Sequence, residues 1–89
     1  TIADGLLTSL SERTFRIISA NIRGILTVSD ETIIRAMRLL WERMKIVVEP
    51  SGAVPLAAVL ERPDGFHGRR VGLIISGGKR NSCRVYFCE

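Results

Sequence analysis

Several residue types that commonly build catalytic and metal sites are scarce in this 89-residue sequence. It holds one histidine, His67, and two cysteines, Cys83 and Cys88, which both lie in residues 83–89. The cysteine spacing matches no zinc-binding pattern, and no second Cys/His pair accompanies it. We therefore expect no metal site, and we expect reduced, incidental thiols of the kind typical of a cytoplasmic chain.

Motifs that indicate a site by themselves are also missing. The chain has no phosphate-binding P-loop, no GxGxxG fingerprint, no nucleophile–base pair and no paired carboxylates. His67 stands alone in a glycine-containing loop, where an exposed position is expected. There is no signal peptide and no apolar run of about 18 residues, so we expect no membrane span.

The charge is not concentrated in one region. The net charge is +4, and residues 79–89 carry three basic residues against one acidic residue, which leaves ten basic and eight acidic residues in the rest of the chain. This mixed surface does not favour a nucleic-acid partner. Hydrophobic residues make up 46% of the sequence, which is much for so short a chain to bury. We therefore expect a homo-oligomer or a missing partner surface.

Three segments show helical patterns. The segment "SERTFRIISANIRG" has apolar residues at helical spacing, with Ser11 as its cap and Gly24 as its stop. The clearest helix follows Ser29 or Asp30. Its predicted apolar face consists of Ile33, Ile34, Met37, Leu40, Trp41 and Met44. A third helix is predicted over 52–61, with Ser51 as its cap and Pro55 in its first turn.

The remaining segments predict strands and a loop. Residues 25–29 are a β-branched run, residues 71–78 are an apolar run that ends in Gly-Gly, and residues 62–70 have loop composition. A fully apolar strand is typical of a parallel sheet that is buried on both faces. We predict an α/β fold: a partial three-layer unit with a short, mostly parallel sheet and about three helices. The small residues of 52–61 would let that helix lie against strand 71–78.

Three places could carry chemistry, and each also has a purely structural interpretation. Ser76 and Gly77 lie where a predicted strand ends, a position that binds ligands in open α/β sheets but also forms tight turns. Glu49 has apolar neighbours, so it is either a buried carboxylate that needs a partner or a surface residue that caps a helix. Asp4 and Gly5 border a site or form a turn.

Four blocks occur in the order "TIADGL", "LTVSDETII", "LLWERMKIVVEPSGAVPLAAVL" and "VGLIISGG". Together they resemble the C-terminal part of the serine racemase and serine/threonine dehydratase family, pyridoxal-phosphate enzymes of the tryptophan-synthase-like fold. The resemblance covers residues 1–78 and implies a segment of the large domain. The family pattern continues with asparagine where this chain has Lys79. We therefore predict that residues 79–89 are a divergent tail, introduced by a reading-frame change or by engineering, which could add an edge strand.

The resemblance implies roles for the candidate residues. The serine of the "SGG" block, here Ser76 followed by Gly77, lies against the pyridine nitrogen of pyridoxal phosphate in the family. The glutamate of the "EP" block, here Glu49, lies by the cofactor ring. The pair that corresponds to Asp4 and Gly5 borders the active site.

The resemblance also implies which parts of the site are absent from this sequence. The lysine that forms the Schiff base, the loop that holds the cofactor phosphate and the divalent-metal carboxylates lie in family blocks that do not match here. Lys45 and Lys79 do not occupy the lysine motif. In animal serine racemases the lysine that corresponds to Lys45 helps to bind a nucleotide, so Lys45 is a nucleotide candidate.

Three functions remain open from the sequence. The chain is a truncated relative that is inactive alone and does not bind the cofactor by itself, or it is a segment of a complete dehydratase or racemase whose upstream part is a separate partner. The third hypothesis is a small self-associating binding module. The substrate, and the choice between racemisation and elimination, stay undecided.

Overall fold

The computed structural model describes residues 2–3 and 10–77, and this part of the chain folds around helices. The helices are α1 (Glu12–Asn21), α2 (Asp30–Met44), α3 (Pro50–Glu61) and the short α4 (Pro63–Phe66). Segments without regular secondary structure join them, and no β-strand forms within the described residues. The predicted α/β sheet is therefore absent from this part of the chain, because segments 25–29 and 71–77 find no strand partner in it.

Helix α1 begins as predicted but remains outside the core. Its N-cap is Ser11, whose Oγ accepts a hydrogen bond of 3.1 Å from the Thr14 N–H. The helix ends at Asn21, before the predicted stop at Gly24. None of its residues is buried, and Phe15 is more than half exposed. Within the described residues, α1 packs against no other helix.

Helix α2 has Ser29 as its N-cap, and Asp30 is its first residue. The apolar pattern correctly predicted Ile33 and Leu40 as core residues. It was wrong for three others, because Ile34, Trp41 and Met44 are each exposed. The other buried residues of α2 are the smaller Thr32 and Ala36.

Helix α3 differs from its prediction at its start. It begins at Pro50 with Glu49 as the N-cap, so Ser51 is a helical residue and does not cap the helix. Proline is well suited to a first helical position, because its fixed φ fits the helix and its missing N–H has no partner there anyway. Pro50, and not Pro55, therefore takes the first-turn place, and Pro55 lies inside the helix.

The core lies between α2 and α3. Ala36, Ala53 and Ala57 are fully buried there beside Ile33, and side chains this small let two helices approach closely. Ala3 and Val48 complete the buried cluster, and Ile75 packs against it from the segment 71–77. The small residues of α3 thus lie in a core shared with α2, and residues 75 and 77 of the segment predicted as their strand partner also pack there, without forming a strand.

The apolar composition of residues 71–78 had predicted a strand that is buried on both faces. The described part, 71–77, is not buried in this way. Ile74 is 81% exposed, and Val71 and Leu73 are also exposed. The loop predicted over 62–70 contains α4, which continues from the end of α3. No helix among the described residues is both long enough and apolar enough to cross a membrane.

Candidate functional site

The structure brings together two of the candidate segments at the start of α3. The side chain of Glu49 lies directly against Gly77: a β-carbon built on Gly77 would lie 2.6 Å from the Glu49 Cδ and would overlap its carboxylate. Glu49 is partly buried and makes no side-chain hydrogen bond to cap α3. Glu49 is thus the N-cap of α3 through its backbone alone, and its carboxylate lies beside Gly77.

A second contact joins the same two segments. A β-carbon on Gly52 would lie 2.7 Å from the Gly77 carbonyl oxygen and 2.8 Å from the Gly77 nitrogen. Glu49 and Gly52 are three residues apart at the helix start, a spacing that places residues on one side of a helix. Gly77 therefore lies against that side. Gly52 was not among the site residues predicted from the sequence, although a glycine in the first turn of a helix indicates a close backbone contact.

Ser76 stands between Ile75, which packs against the core, and Gly77, which contacts Glu49. Its side chain is exposed, so its hydroxyl is accessible to a ligand as a hydrogen-bond donor or acceptor. The Glu49 carboxylate thus contacts the residue that follows Ser76, and these two candidate residues come from segments that are far apart in the sequence.

Asp4 and Gly5 lie outside the described residues, so their predicted place at the site stays a prediction. The two residues before them are held against the α2 core. Ala3 is buried, and the Ile2 N–H donates a 3.1 Å hydrogen bond to the Asp30 Oδ2. The chain therefore enters this region in contact with the first residue of α2.

Lys45 has a structural role at the end of α2. It is the C-cap, with φ 59° and ψ 33° in the left-handed region, and its Nζ donates a 2.9 Å hydrogen bond to the Glu42 carbonyl oxygen. A cation at this end of a helix interacts favourably with the terminal carbonyls. Its predicted contact with a nucleotide stays a prediction.

A hydrogen-bonded network at the opposite end of α3 was not found from the sequence. The Glu61 Oε1 accepts from the Ser29 N–H at 2.7 Å and from the Ser29 Oγ–H at 2.6 Å. The Ser29 Oγ in turn accepts from the Thr32 N–H at 3.2 Å. Hydrogen bonds from Ser29, first from its hydroxyl, lower the pKa of Glu61 from 4.5 to about 2.

This network resembles a capping box whose second half comes from another helix. In a capping box, a glutamate at the third helical position accepts from the N-cap N–H. That position of α2 is Thr32, and Glu61 at the end of α3 takes over the role. A sequence motif that spans only the N-cap and the next three residues cannot identify a partner as distant in sequence as Glu61.

The residues present fit one side of a pyridoxal-phosphate site. Ser76 offers a neutral hydroxyl, and Gly77 keeps a β-carbon out of the space that the Glu49 carboxylate occupies. Across residues 2–3 and 10–77, no group of three His, Cys, Asp or Glu side chains could hold a metal ion. The arrangement suits hydrogen bonding to a polar ring.

Comparisons with known proteins indicate the family to which this chain belongs. The chain is 51% identical over 80 residues to the serine racemase of Dictyostelium discoideum, and the match covers 88% of this chain and 25% of that protein. It is 47% identical over 78 residues to the β-hydroxyaspartate dehydratase of Paracoccus denitrificans (strain Pd 1222), with coverages of 88% and 25%. The chain thus spans about a quarter of the length of these relatives.

Solved structures give the same result. The T.th. threonine deaminase superposes with a TM-score of 0.84 at 50% identity, covering 94% of this chain and 28% of that one. The Dictyostelium discoideum serine racemase superposes with a TM-score of 0.81 at 51% identity, covering 91% and 27%. The family model described as "Pyridoxal-phosphate dependent enzyme" matches residues 1–77. This chain belongs to the family of pyridoxal-phosphate dependent enzymes.

Proposed function

We propose that this chain supplies one wall of a pyridoxal-phosphate site in an enzyme that acts on hydroxy amino acids, as a dehydratase or a racemase. The observation that carries the proposal is the contact of the Glu49 carboxylate with Gly77, directly beside Ser76. Relatives named serine racemase and β-hydroxyaspartate dehydratase support the class of substrate. Asp4 and Gly5 would border the same site.

Ser76 and Glu49 would have different tasks at this wall. Pyridoxal phosphate, when bound, withdraws electrons from the α-carbon of an amino acid. The Ser76 hydroxyl would hydrogen-bond the pyridine nitrogen without placing a negative charge there, so the nitrogen would remain unprotonated. The Glu49 carboxylate would flank the ring and would orient it.

The 89 residues by themselves are proposed to be inactive. No lysine of this sequence occupies the family's Schiff-base motif, and the phosphate-holding loop has no match in it. Adding pyridoxal phosphate to the purified chain should give no new absorbance near the visible edge and no pyruvate from serine. Clear signals in both assays would show that the chain is active by itself. Activity gained by co-expression with an upstream family segment would support the alternative, a segment of a complete enzyme.

A grafted enzyme tests the wall directly. In the Dictyostelium discoideum serine racemase, the aligned segment would be replaced by residues 1–77 of this chain. Ser76→Ala should lower kcat about tenfold or more, because a lost hydrogen bond of about 1.5 kcal/mol corresponds to that factor. Ser19→Ala, on the exposed part of α1, is the matched control. Equal rates for the two variants would contradict the proposed role of Ser76.

For the complete enzyme we also propose an α/β sheet and a cytoplasmic location. In a complete enzyme, segments 25–29 and 71–77 would pair with strands from the rest of the protein. Both segments lie outside the helices and carry exposed apolar residues, including Ile25 and Ile74. The same exposure favours the second candidate function, a self-associating module, in which another copy of this chain covers these segments.

A further inference from the structure

Two glycines of the described chain differ from the others in their surroundings. At Gly24, Gly65 and Gly72 an added β-carbon would meet no atom within 4 Å. At Gly52 and Gly77 it would meet several atoms closer than 3.0 Å, a separation that real β-carbons essentially never show. The absence of a side chain is thus a steric requirement at these two positions.

The obstacle at Gly52 is mainly backbone. A β-carbon there would lie 2.7 Å and 2.8 Å from the oxygen and nitrogen of Gly77, and 2.8 Å from Val48 Cγ1. Backbone atoms cannot rotate aside as a side chain can. An alanine at 52 therefore has to push the peptide of residue 77, and Ser76 with it, away from α3.

The obstacle at Gly77 is the side chain of Glu49. Its Cδ would lie 2.6 Å from an added β-carbon, and its carboxylate oxygen would overlap it. A glutamate side chain can turn away by changing its rotamers. An alanine at 77 therefore displaces the carboxylate while it leaves the helices and their core in place.

We infer that Gly52 and Gly77 are positioning residues that together place the Glu49 carboxylate against Gly77, the residue that follows Ser76. Gly52 lets the peptide of residue 77 lie on the first turn of α3, and Gly77 leaves the space that the carboxylate fills. The geometry stands on the described contacts, and its consequence for catalysis rests on the function proposed above.

The purified 89-residue chain allows a test without cofactor. Glutamate carboxyl carbons would be labelled with ¹³C, and the Glu49 signal would be assigned by its loss in Glu49→Gln. Gly77→Ala should move this signal while the urea midpoint stays equal to that of Gly72→Ala, the control in the same extended segment. Gly52→Ala should lower the urea midpoint and shift the amide signals of Ser76 and Gly77.

An unchanged Glu49 signal in a folded Gly77→Ala chain would overturn the inference. A Gly52→Ala chain that behaves like Gly72→Ala would overturn it as well. If Gly52→Ala does not fold, a displaced Glu49 signal in Gly77→Ala still supports positioning. In the grafted racemase, Gly77→Ala should lower kcat, and Gly72→Ala should not. If Ser76→Ala does not change kcat of the grafted racemase while the Glu49 carboxyl signal moves in Gly77→Ala, the proposed function fails. The positioning of the Glu49 carboxylate by Gly77 is then still supported.

Discussion

Lys45 adopts a left-handed backbone conformation at the end of α2. This conformation costs a residue with a β-carbon roughly 1 kcal/mol, and glycine avoids that cost. Lys45→Gly should therefore raise the free energy of unfolding by about that amount, measured by urea denaturation. Lys45→Ala is the control, since it loses the bond from Nζ to the Glu42 carbonyl but keeps the β-carbon. If Lys45→Gly and Lys45→Ala are equally stable, the left-handed backbone at Lys45 does not lower the stability of the parent chain.

Glu61 makes the link between α2 and α3 dependent on pH. Its pKa is lowered to about 2 by hydrogen bonds from Ser29, so the folded state favours the ionised carboxylate. The stabilisation is complete above the ordinary pKa of 4.5, and it is lost as the pH falls from there toward 2. Glu61→Gln should lower the stability at pH 7 and flatten its decrease below about pH 4.5, measured by thermal unfolding at several pH values.

The control for this experiment is Asp64→Asn, which neutralises an exposed carboxylate just beyond α3. Acid sensitivity that changes equally in both variants would indicate a general effect of the removed charge. A Glu61→Gln chain that retains the full acid sensitivity of the parent would show that other carboxylates govern it. Ser29→Ala offers an independent check, because loss of an N-cap hydroxyl costs about 1 kcal/mol.

At the scale of the element, Pro55 is the feature of α3 that conflicts most with helix geometry. A proline inside a helix lacks the N–H that would bond the carbonyl four residues back, and its ring crowds that carbonyl, at a cost of about 3 kcal/mol. Pro55→Ala should therefore raise the free energy of unfolding by up to about 3 kcal/mol and increase the helical circular-dichroism signal. Pro50→Ala, at the first helical position, should give no such gain. Equal effects of Pro55→Ala and Pro50→Ala on the free energy of unfolding would show that Pro55 does not strain α3.

Local patterns predicted the helices well and their contacts poorly. The hydroxyls of Ser11 and Ser29 lie where N-caps must lie, so both helix starts were found from the sequence. The start of α3 was misplaced, because Ser51 has the capping chemistry but Pro50 has the backbone that begins a helix. Which apolar residues are buried depends on where α3 crosses α2, and no periodicity contains that information.

At the scale of the whole molecule, the candidate site followed from the sequence only in part. Glu49 and Ser76 could be named because their blocks resemble a family. The contact of Glu49 with Gly77, the residue after Ser76, depends on the packing of segment 71–77 against α3, which involves residues distant in sequence. The predicted sheet has a related requirement: strands need partners, and the chain spans about a quarter of the length of its relatives.

The exposed apolar segment 71–77 determines how the 89-residue chain should behave in solution. No backbone hydrogen bond joins residues 70–77 to another described residue, and Ile74 is 81% exposed. Unpaired extended segments pair readily with one another, so a second copy is the expected partner. Sedimentation should therefore show a mass that rises with protein concentration.

Ile74→Lys should weaken this association by roughly tenfold or more, because burying one isoleucine contributes at least about 1.5 kcal/mol. Ile34→Lys is the matched control: it makes the same change at an exposed isoleucine of α2, away from the extended segments. Association that is weakened equally by both changes would indicate non-specific contact between apolar surfaces. A parent chain that remains monomeric at every concentration would refute self-association. Pairing with strands from the rest of the enzyme would then be the better account of this segment.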